Sequence, residues 1–291
     1  MVDVRSKNRL GFASSLIKAR DIRRELQRLI DHPQANELSL KPFFESYPSA
    51  IPTWPWRQNH GVHFSFMFPQ YPLGTRFKSD FLYLTKSSVE WWCVLVEFED
   101  PQSKLFQDGA KSVKMHSDFT AALDQIRDWQ DFLEKNRDEF LRGLDPIRLP
   151  LKMRVKNPLH FKYTLVVGRR KELEDDAEKL QRFSALNKEK GDLRIITYDT
   201  LLSGLEQEQQ RLDHHDLNLL TRSGSRFRFK HFVPETAHFL DRITPAEIEL
   251  NAEQIQSAQQ VGILAKEWSE GKELTNLGRE VRKPLPDALS D

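Results

Sequence analysis

Three carboxylates near the middle of the chain are spaced in a way that could hold a divalent cation. Asp80 lies in an apolar run that continues as FLYL, and Glu97 and Glu99 close the next apolar run, WWCVLVEFEDPQ. A polar break, TKSS, separates the two runs. Gathered carboxylates repel one another unless a cation lies among them, and hard divalent cations prefer oxygen ligands. The three acids therefore indicate metal chemistry if the fold brings them together.

The two apolar runs predict strands, and strand geometry decides whether the acids meet. Side chains alternate between faces, so Glu97 and Glu99 share a face. If the runs pair as a hairpin with Asp80 opposite Leu95 or Glu97, Asp80 lies on that face too, because opposed residues share a face. The alternative is that Glu97 and Glu99 only mark the place where a buried strand surfaces. Because burying a lone carboxylate is costly, the unbroken apolar run before Glu97 favours a metal site over this alternative.

Hydrophobic periodicity and chain breakers predict the elements around this hairpin. Helices are expected at 12–31, 37–47, 117–142 and 245–270, in the charged stretch after residue 170, and from Asp199 onward. Strands are expected at 60–68, 77–84, 91–98, 161–168, 193–198 and 225–232, with a turn at PQYPLG. The helical crossover between the strands at 161–168 and 193–198 predicts a parallel pair. A hairpin combined with a βαβ unit indicates an α/β (α+β) fold, with a mixed sheet flanked by helices.

The chain is expected to divide into three segments. Residues 1–32 form a basic helical segment, and residues 33–212 form one domain that carries the acids and most of the strands. Residues 213–291 form a C-terminal extension that ends in a loose tail with Pro284 and Pro286.

Composition limits the functional classes. The 291 residues carry a formal net charge of +1, which neither announces nor excludes a surface for nucleic acid. Cys93 is the only cysteine, so a disulfide framework and a cysteine-based zinc site are excluded, and it is expected to be buried. The N-terminus has no apolar signal region, and no run reaches the length of a membrane span. A cytoplasmic protein without membrane contact is expected.

The order of the acids also indicates a class of reaction. An acid on one strand, followed by Glu-x-(Lys or Glu) at the end of the neighbouring strand, is the arrangement of PD-(D/E)xK nucleases. Mg²⁺ held by Asp80 and Glu97 could polarise a phosphodiester and lower the pKa of a bound water. Gln125 and Trp129 lie at i and i+4 of the next helix, on one face. That helix could therefore direct the Gln125 amide into the site.

Several motifs follow one another in a recognisable order. They are LGTRFKSDFLYL with WWCVLVEFEDPQSKLFQ, then SDFTAALDQIRDWQDFL, then YTLVVGRR with LRIITYDTLL, and NELSLKPFFESYPSAI precedes them as a helix that carries a Glu. From about residue 33 to about residue 210 the chain resembles the Shedu group of bacterial anti-phage proteins. The resemblance implies a PD-(D/E)xK domain with Mg²⁺ or Mn²⁺ on Asp80 and Glu97, and with Gln125 in a Gln-x-x-x-aromatic feature shared with RecB-like nucleases. It also implies an endonuclease or nickase that acts on phage or other foreign DNA and assembles into homo-oligomers.

One position departs from the family pattern. Glu99 stands where the motif has a lysine, which steadies the attacking hydroxide and the developing negative charge. Glu99 could instead act as a ligand or as a general base with a raised pKa. Lys78, on the same strand face as Asp80, and Lys104, just beyond the motif, are candidate substitutes. The alternative is a domain that has lost catalysis and binds nucleic acid or a partner protein.

Two basic segments are candidate DNA contacts. In VVGRR, Arg169 and Arg170 follow a strand and could reach a phosphate, although a structural role is favoured. In SRFRFKHF, Arg226 and Arg228 alternate with phenylalanines, which suits a strand facing nucleic acid or an ordinary edge strand with charged outer positions.

Overall fold

The computed structural model describes residues 20–109, 112–149, 157–174, 176–189, 191–210 and 217–282. The chain forms two compact units, one of residues 1–137 and 157–216 and the other of residues 138–156 and 217–291. In the described ranges, every helix is too short or too polar to cross a membrane.

In its described residues, the first unit contains five strands and most of the helices. In chain order its elements are α1 (20–30), α2 (Glu37–Ser46), a 3₁₀ turn (Pro48–Ala50), β1 (Val62–Leu73), β2 (Phe77–Lys86), β3 (Trp91–Phe98), α3 (Ser117–Lys135), β4 (Leu159–Val166), α5 (Lys171–Glu174), α6 (Ala177–Glu189), β5 (Leu193–Ile196) and α7 (Tyr198–Gln210). The strands lie in the order β5-β4-β3-β2-β1. β2 pairs antiparallel with β1 and β3, whereas β4 pairs parallel with β3 and β5. The predicted mixed α/β class and the parallel pair are confirmed.

Helices cover both faces of β2 and β3. Phe44 of α2 stacks on Phe98 with ring centroids 4.1 Å apart, and Tyr198 of α7 lies 6.4 Å from the same ring. Gln125 of α3 instead contacts Glu97, the neighbour of Phe98 on β3. Because adjacent strand residues point to opposite faces, α3 lies on one face and α2 and α7 lie on the other. Cys93, also on β3, is buried as predicted.

The β1–β2 hairpin is longer than the sequence predicted. The expected turn at PQYPLG is wrong, since β1 continues through that segment and pairs Pro69 with Phe81 and Pro72 with Lys78. A proline is tolerated in a strand where the ladder does not need its N–H. The chain turns after β1 at Gly74, whose φ of +66° favours glycine.

The helix predicted at 117–142 is two helices. α3 ends at Lys135, and Asn136 follows with φ −120° and ψ 23°, outside the helical region. A second helix, α4 (Arg137–Arg148), follows at once, so Gly143 and Pro146 lie inside a helix instead of stopping one. Pro146 is two residues from the end of α4, so the helix stops soon after the proline interrupts its hydrogen bonds.

The second unit contains α4 except for its first residue, and then smaller elements. These are β6 (Asn218–Ser223), β7 (Arg226–His231), a 3₁₀ helix (Pro234–Asp241), β8 (Ile248–Glu249), α8 (Ala252–Gln260), α9 (Ala265–Ser269), β9 (Leu274–Thr275) and β10 (Glu280–Val281). β7 pairs antiparallel with β6 and parallel with β8. The single helix predicted at 245–270 is therefore wrong: the segment forms β8, α8 and α9, and Gly262 separates the helices with a φ of +84°.

The N-terminal helix is helical over its described part, residues 20–30. Ile22, Leu26 and Ile30 are buried there, as the predicted apolar stripe requires. The remaining expectations for residues 12–19 and for the C-terminal tail lie outside the described residues.

Candidate functional site

Asp80 and Glu97 lie opposite each other on β2 and β3. The pairing Phe81↔Val96 ends the ladder between the strands, and the next residues outward are these two acids. This is one of the two registers in which the sequence brings them together. The Asp80 N–H donates to Oε2 of Glu97 at 3.3 Å, and the Phe98 N–H donates to Oδ2 of Asp80 at 2.9 Å. The hairpin backbone thus holds one oxygen of each carboxylate.

Two glutamine amides hold the other two oxygens. Nε2 of Gln125 donates to Oε1 of Glu97, and Nε2 of Gln70 on β1 donates to Oδ1 of Asp80 at 2.9 Å. Gln125 reaches the site because α3 buries the stripe that includes Ile126 and Trp129. Trp129 is fully buried in the core, and its indole N–H has no hydrogen-bond partner among the described residues, so it does not donate to the acids.

Burial makes the two carboxylates hard to ionise. Asp80 and Glu97 are only 8% and 7% exposed. Burial raises the pKa of Asp80 to about 6, with Glu37 adding to the rise, while the Phe98 N–H, the Gln70 amide and Lys41 oppose it. The pKa of Glu97 is raised well above its ordinary range, first by burial and then by the charges of Asp80 and Glu99. Within the described part of the chain, neither acid forms an ion pair with a lysine or arginine.

Glu99 is the third acid and is more open to solvent. Burial, followed by the charges of Glu37 and Asp80, raises the pKa of Glu99 to about 7. Its backbone is fixed at both ends, since its N–H donates to Val166 and its carbonyl accepts from the Tyr198 hydroxyl at 2.6 Å. A carboxylate that titrates near neutrality can exchange a proton under physiological conditions.

Helix α2 adds two charged residues that sequence reasoning did not single out. Glu37 raises the pKa of all three acids, and Lys41 lowers that of Asp80. Asn36 caps the helix, and the contact of Phe44 with Phe98 anchors it on the sheet. The i, i+4 spacing of Glu37 and Lys41 places them on one helix face, which was the signal available in the sequence.

The two lysines proposed from the sequence have other surroundings. Lys104 forms an exposed ion pair with Asp108, with the two atoms 2.6 Å apart. Lys78 is exposed on β2, in register with Pro72. The charge of Lys41, by contrast, acts on Asp80.

The VVGRR segment has structural contacts. The Arg169 guanidinium donates to both oxygens of Asp199 and to Asp31 at 2.7 Å, so it ties the end of β4 to α7 and to the end of α1. The Arg170 N–H also donates to Asp199, while its exposed side chain pairs with Glu174. Gly168 has a φ of +60°, and a Cβ there would lie 2.7 Å from the Ser103 carbonyl oxygen. The segment therefore shapes the turn, in line with the favoured structural role.

The basic strand in the second unit alternates as predicted. Arg226, Arg228 and Lys230 are exposed, while Phe227 and Phe229 are buried. Arg228 pairs with Glu249 on β8 at 2.9 Å, and both side chains are open to solvent. β7 has neighbours on both sides, β6 and β8, so it is not the edge strand that the alternative interpretation offered.

The donor set fits a hard cation with few protein ligands. Among the described residues, no three or more His, Cys, Asp and Glu side chains are arranged to hold a metal ion. Mg²⁺, however, keeps several waters and is commonly bound by one or two carboxylates together with substrate phosphates. Two buried carboxylates without a basic partner match that requirement, so the metal prediction stays a prediction that rests on Asp80 and Glu97.

Comparison with known proteins identifies the family. The family model described as Shedu protein SduA, C-terminal, matches residues 34–202, more than half of the chain. The chain belongs to the Shedu SduA C-terminal family. No curated protein sequence matches it. The match to the Shedu family includes Glu37, Lys41, Asp80, Glu97, Glu99 and Gln125, and it ends before β6.

Proposed function

We propose that the chain is a divalent-metal-dependent DNA endonuclease or nickase that acts in anti-phage defence. Membership of the Shedu family supports the defence role. The observation that carries the nuclease is the pair of opposed, buried carboxylates of Asp80 and Glu97, which form no ion pair in the described residues. Glu97 accepts a hydrogen bond from the Gln125 amide on α3. Unneutralised buried carboxylates are costly, so they favour a cation as the missing partner.

The metal would be held by Asp80 and Glu97, with Mg²⁺ or Mn²⁺ as the expected ion. When bound, it supplies polarisation of the scissile phosphodiester and a lower pKa for its water. Gln125 orients Glu97 through its amide, because the hydrogen bond that its N–H donates to Oε1 leaves the carboxylate little rotational freedom. The fold class of an α/β domain with a mixed sheet supports a PD-(D/E)xK core.

Glu99 is the proposed proton acceptor, and Lys41 is the proposed source of positive charge. With a pKa of about 7, the Glu99 carboxylate can accept the proton of the attacking water at neutral pH. Lys41 carries the positive charge that the motif otherwise places at the position of Glu99, and its charge acts on Asp80. A cation at this place stabilises negative charge that develops on the phosphate oxygens.

DNA contact is proposed for the basic face of β7. Arg226 and Arg228 project from one exposed strand face, and phosphate contacts by arginines position a duplex without reading its sequence. The exposed pair of Arg228 with Glu249 contributes little to stability, so a phosphate can replace the glutamate at small cost. Homo-oligomers, which the family resemblance implies, are part of the same proposal.

The second candidate is a domain that binds DNA or a partner protein without cutting. Glu99 at the lysine position favours it, because an added negative charge opposes the approach of a phosphate. Incubation of purified protein with plasmid and linear DNA in Mg²⁺ and then Mn²⁺, beside Glu97→Ala, separates the two. Cleavage that is lost in the variant supports the nuclease, and DNA binding without cleavage in either metal supports the binding domain.

A further inference from the structure

Gln70 lies in line with the two central acids. On β1, Pro69 pairs with Phe81 and Tyr71 pairs with Ser79, so Gln70 stands opposite Asp80. Asp80 in turn stands opposite Glu97 on β3, so the three side chains form a row across three neighbouring strands. The Gln70 amide donates to Oδ1 of Asp80 at 2.9 Å.

The backbone of Gln70 is strained at a position that does not shift the strand register. Its φ is +49°, a conformation that a residue with a Cβ adopts at an energetic cost. Phe64 and Ser65 also have positive φ values, but they lie where the register shifts between Val62 and Met67. From Met67 to Leu73 the register with β2 stays constant, and the ladder skips only the position of Gln70 and Asp80. The strain at Gln70 is therefore local to this position, where its side chain contacts Asp80.

The contacts of Gln70 are the counterpart of those of Gln125. Asp80 receives one N–H from the Gln70 amide and one from the backbone of Phe98. Glu97 receives one from the Gln125 amide and one from the backbone of Asp80. Each of the four carboxylate oxygens thus accepts one bond from protein and keeps lone-pair capacity for another partner.

We propose that Gln70 is a positioning residue whose strained backbone presents its amide to Asp80 and so fixes that carboxylate for metal binding. Strain of this kind is stored where the surrounding structure enforces it, commonly at functional sites. Ligands held by outer amides lose less freedom on binding an ion, so removal of such a partner weakens metal affinity by about 10- to 100-fold. This inference rests on the proposed metal site.

The test uses Mn²⁺ without DNA and three variants. Gln70→Ala and Gln70→Gly both remove the amide, but only glycine also relieves the positive φ. Ser65→Gly is the matched control, since it relieves a φ of +57° in the same strand and does not contact the acids. Each protein is melted in EDTA and then across a Mn²⁺ titration, because an ion that binds the folded state raises Tm by an amount that grows with the logarithm of its concentration over its Kd.

Both Gln70 variants are expected to need about 10-fold or more Mn²⁺ for the same rise in Tm, whereas Ser65→Gly follows the unsubstituted protein. In EDTA, Gln70→Gly is expected to melt about 2–4 °C above Gln70→Ala. Two results would overturn the positioning role. One is that the Gln70 variants respond to Mn²⁺ at the same concentrations as the unsubstituted protein. The other is that Gln70→Ala melts in EDTA at the same temperature as Gln70→Gly or above it. If the unsubstituted protein and Ser65→Gly also fail to respond to Mn²⁺, the metal site itself is refuted, and the positioning role with it.

Discussion

At the scale of single residues, the site is a balance between burial and hydrogen bonding. Burial and mutual repulsion favour the neutral forms of Asp80 and Glu97, while their four N–H donors favour the charged forms. A bound cation would shift that balance toward the charged forms. The same balance makes the metal-free protein sensitive to pH.

Without metal, the protein is expected to lose stability as pH rises from about 4 to about 7. The folded-state pKa values of Asp80 and Glu99, about 6 and about 7, lie above the ordinary values of 3.8 and 4.5. For acids with raised pKa values, the stability contribution is complete below the ordinary value and is lost as pH rises through the folded value.

Glu99→Gln should therefore flatten the curve of Tm against pH in EDTA, chiefly between about pH 4.5 and pH 7. About 1 kcal/mol corresponds to a change of about 2–4 °C in a chain of roughly this size. Glu178→Gln, an exposed position on α6, is the control and should leave the curve unchanged. A Glu99→Gln curve parallel to that of the unsubstituted protein would contradict the raised pKa.

Lys41→Met is expected to lower the rate of DNA cleavage about 100- to 1,000-fold with little change in Tm. Lys41 supplies positive charge near Asp80, and loss of one group that stabilises developing charge has effects of this order. Lys188→Met, at an exposed position on α6, is the matched control, because it also removes one positive charge. Equal rates for the two variants would remove Lys41 from the proposed chemistry.

Some of these residues could be predicted from the sequence and others could not. The sequence could predict that Asp80, Glu97 and Gln125 lie close together, because strand alternation and helical spacing are local patterns. Gln70 lies in a segment whose prolines indicate a turn, so its position beside Asp80 in the sheet could not be predicted from the sequence. The influence of Glu37 and Lys41 depends on where α2 packs, which no local pattern specifies.

At the scale of elements, the turn after β4 illustrates a motif whose role is structural. Gly168 supplies the conformation, and Arg169 joins Asp31 and Asp199 from two helices. The sequence suggested both a phosphate contact and a structural role for this arginine. Only the packing of α1 and α7 brings the two aspartates to it.

Arg169→Ala is expected to destabilise the protein by about 1–3 kcal/mol, because it leaves two carboxylates without their shared partner. Arg170→Ala should change the free energy of unfolding by no more than about 0.5 kcal/mol, since its exposed side chain has only a surface ion pair. Urea denaturation measures both values. Reduced DNA affinity with unchanged stability in Arg169→Ala would restore the phosphate contact.

The strand and helix boundaries also show which features local sequence patterns can predict and which they cannot. β2, β3 and the parallel strands were predicted well because their apolar runs are continuous. The break between α3 and α4 was missed because apolar periodicity continues across Asn136. Pro69 and Pro72 indicate a turn in the sequence, although β1 accommodates both.

At the scale of the whole molecule, the family match and the compact units divide the chain differently. The match ends at residue 202, whereas the second unit combines residues 138–156 with residues 217–291. The part of the second unit that lies beyond the match, residues 217–291, carries the basic face of β7. Its proposed role in DNA binding can be tested apart from the chemistry of the acids.

Replacement of Arg226 and Arg228 by alanine is expected to weaken DNA binding and to reduce the slope of log affinity against log salt by about 1.8, since each phosphate contact contributes about 0.9. The cleavage rate at saturating DNA should stay unchanged, because neither residue belongs to the acidic site. Arg142 and Arg279, also exposed in the second unit, give a control with the same loss of charge. Identical salt slopes for the two double variants would remove DNA contact from this face.

The most direct test of the account is calorimetric titration of Mn²⁺ into the metal-free protein without DNA, beside Asp80→Asn and Glu97→Gln. A metal site on this pair predicts a binding heat in the unsubstituted protein that is lost in both variants. It also predicts that both variants melt no lower than the unsubstituted protein in EDTA, since each removes a charge that burial disfavours. Absence of Mn²⁺ binding in the unsubstituted protein, or unchanged binding in either variant, would contradict a metal site built on this pair.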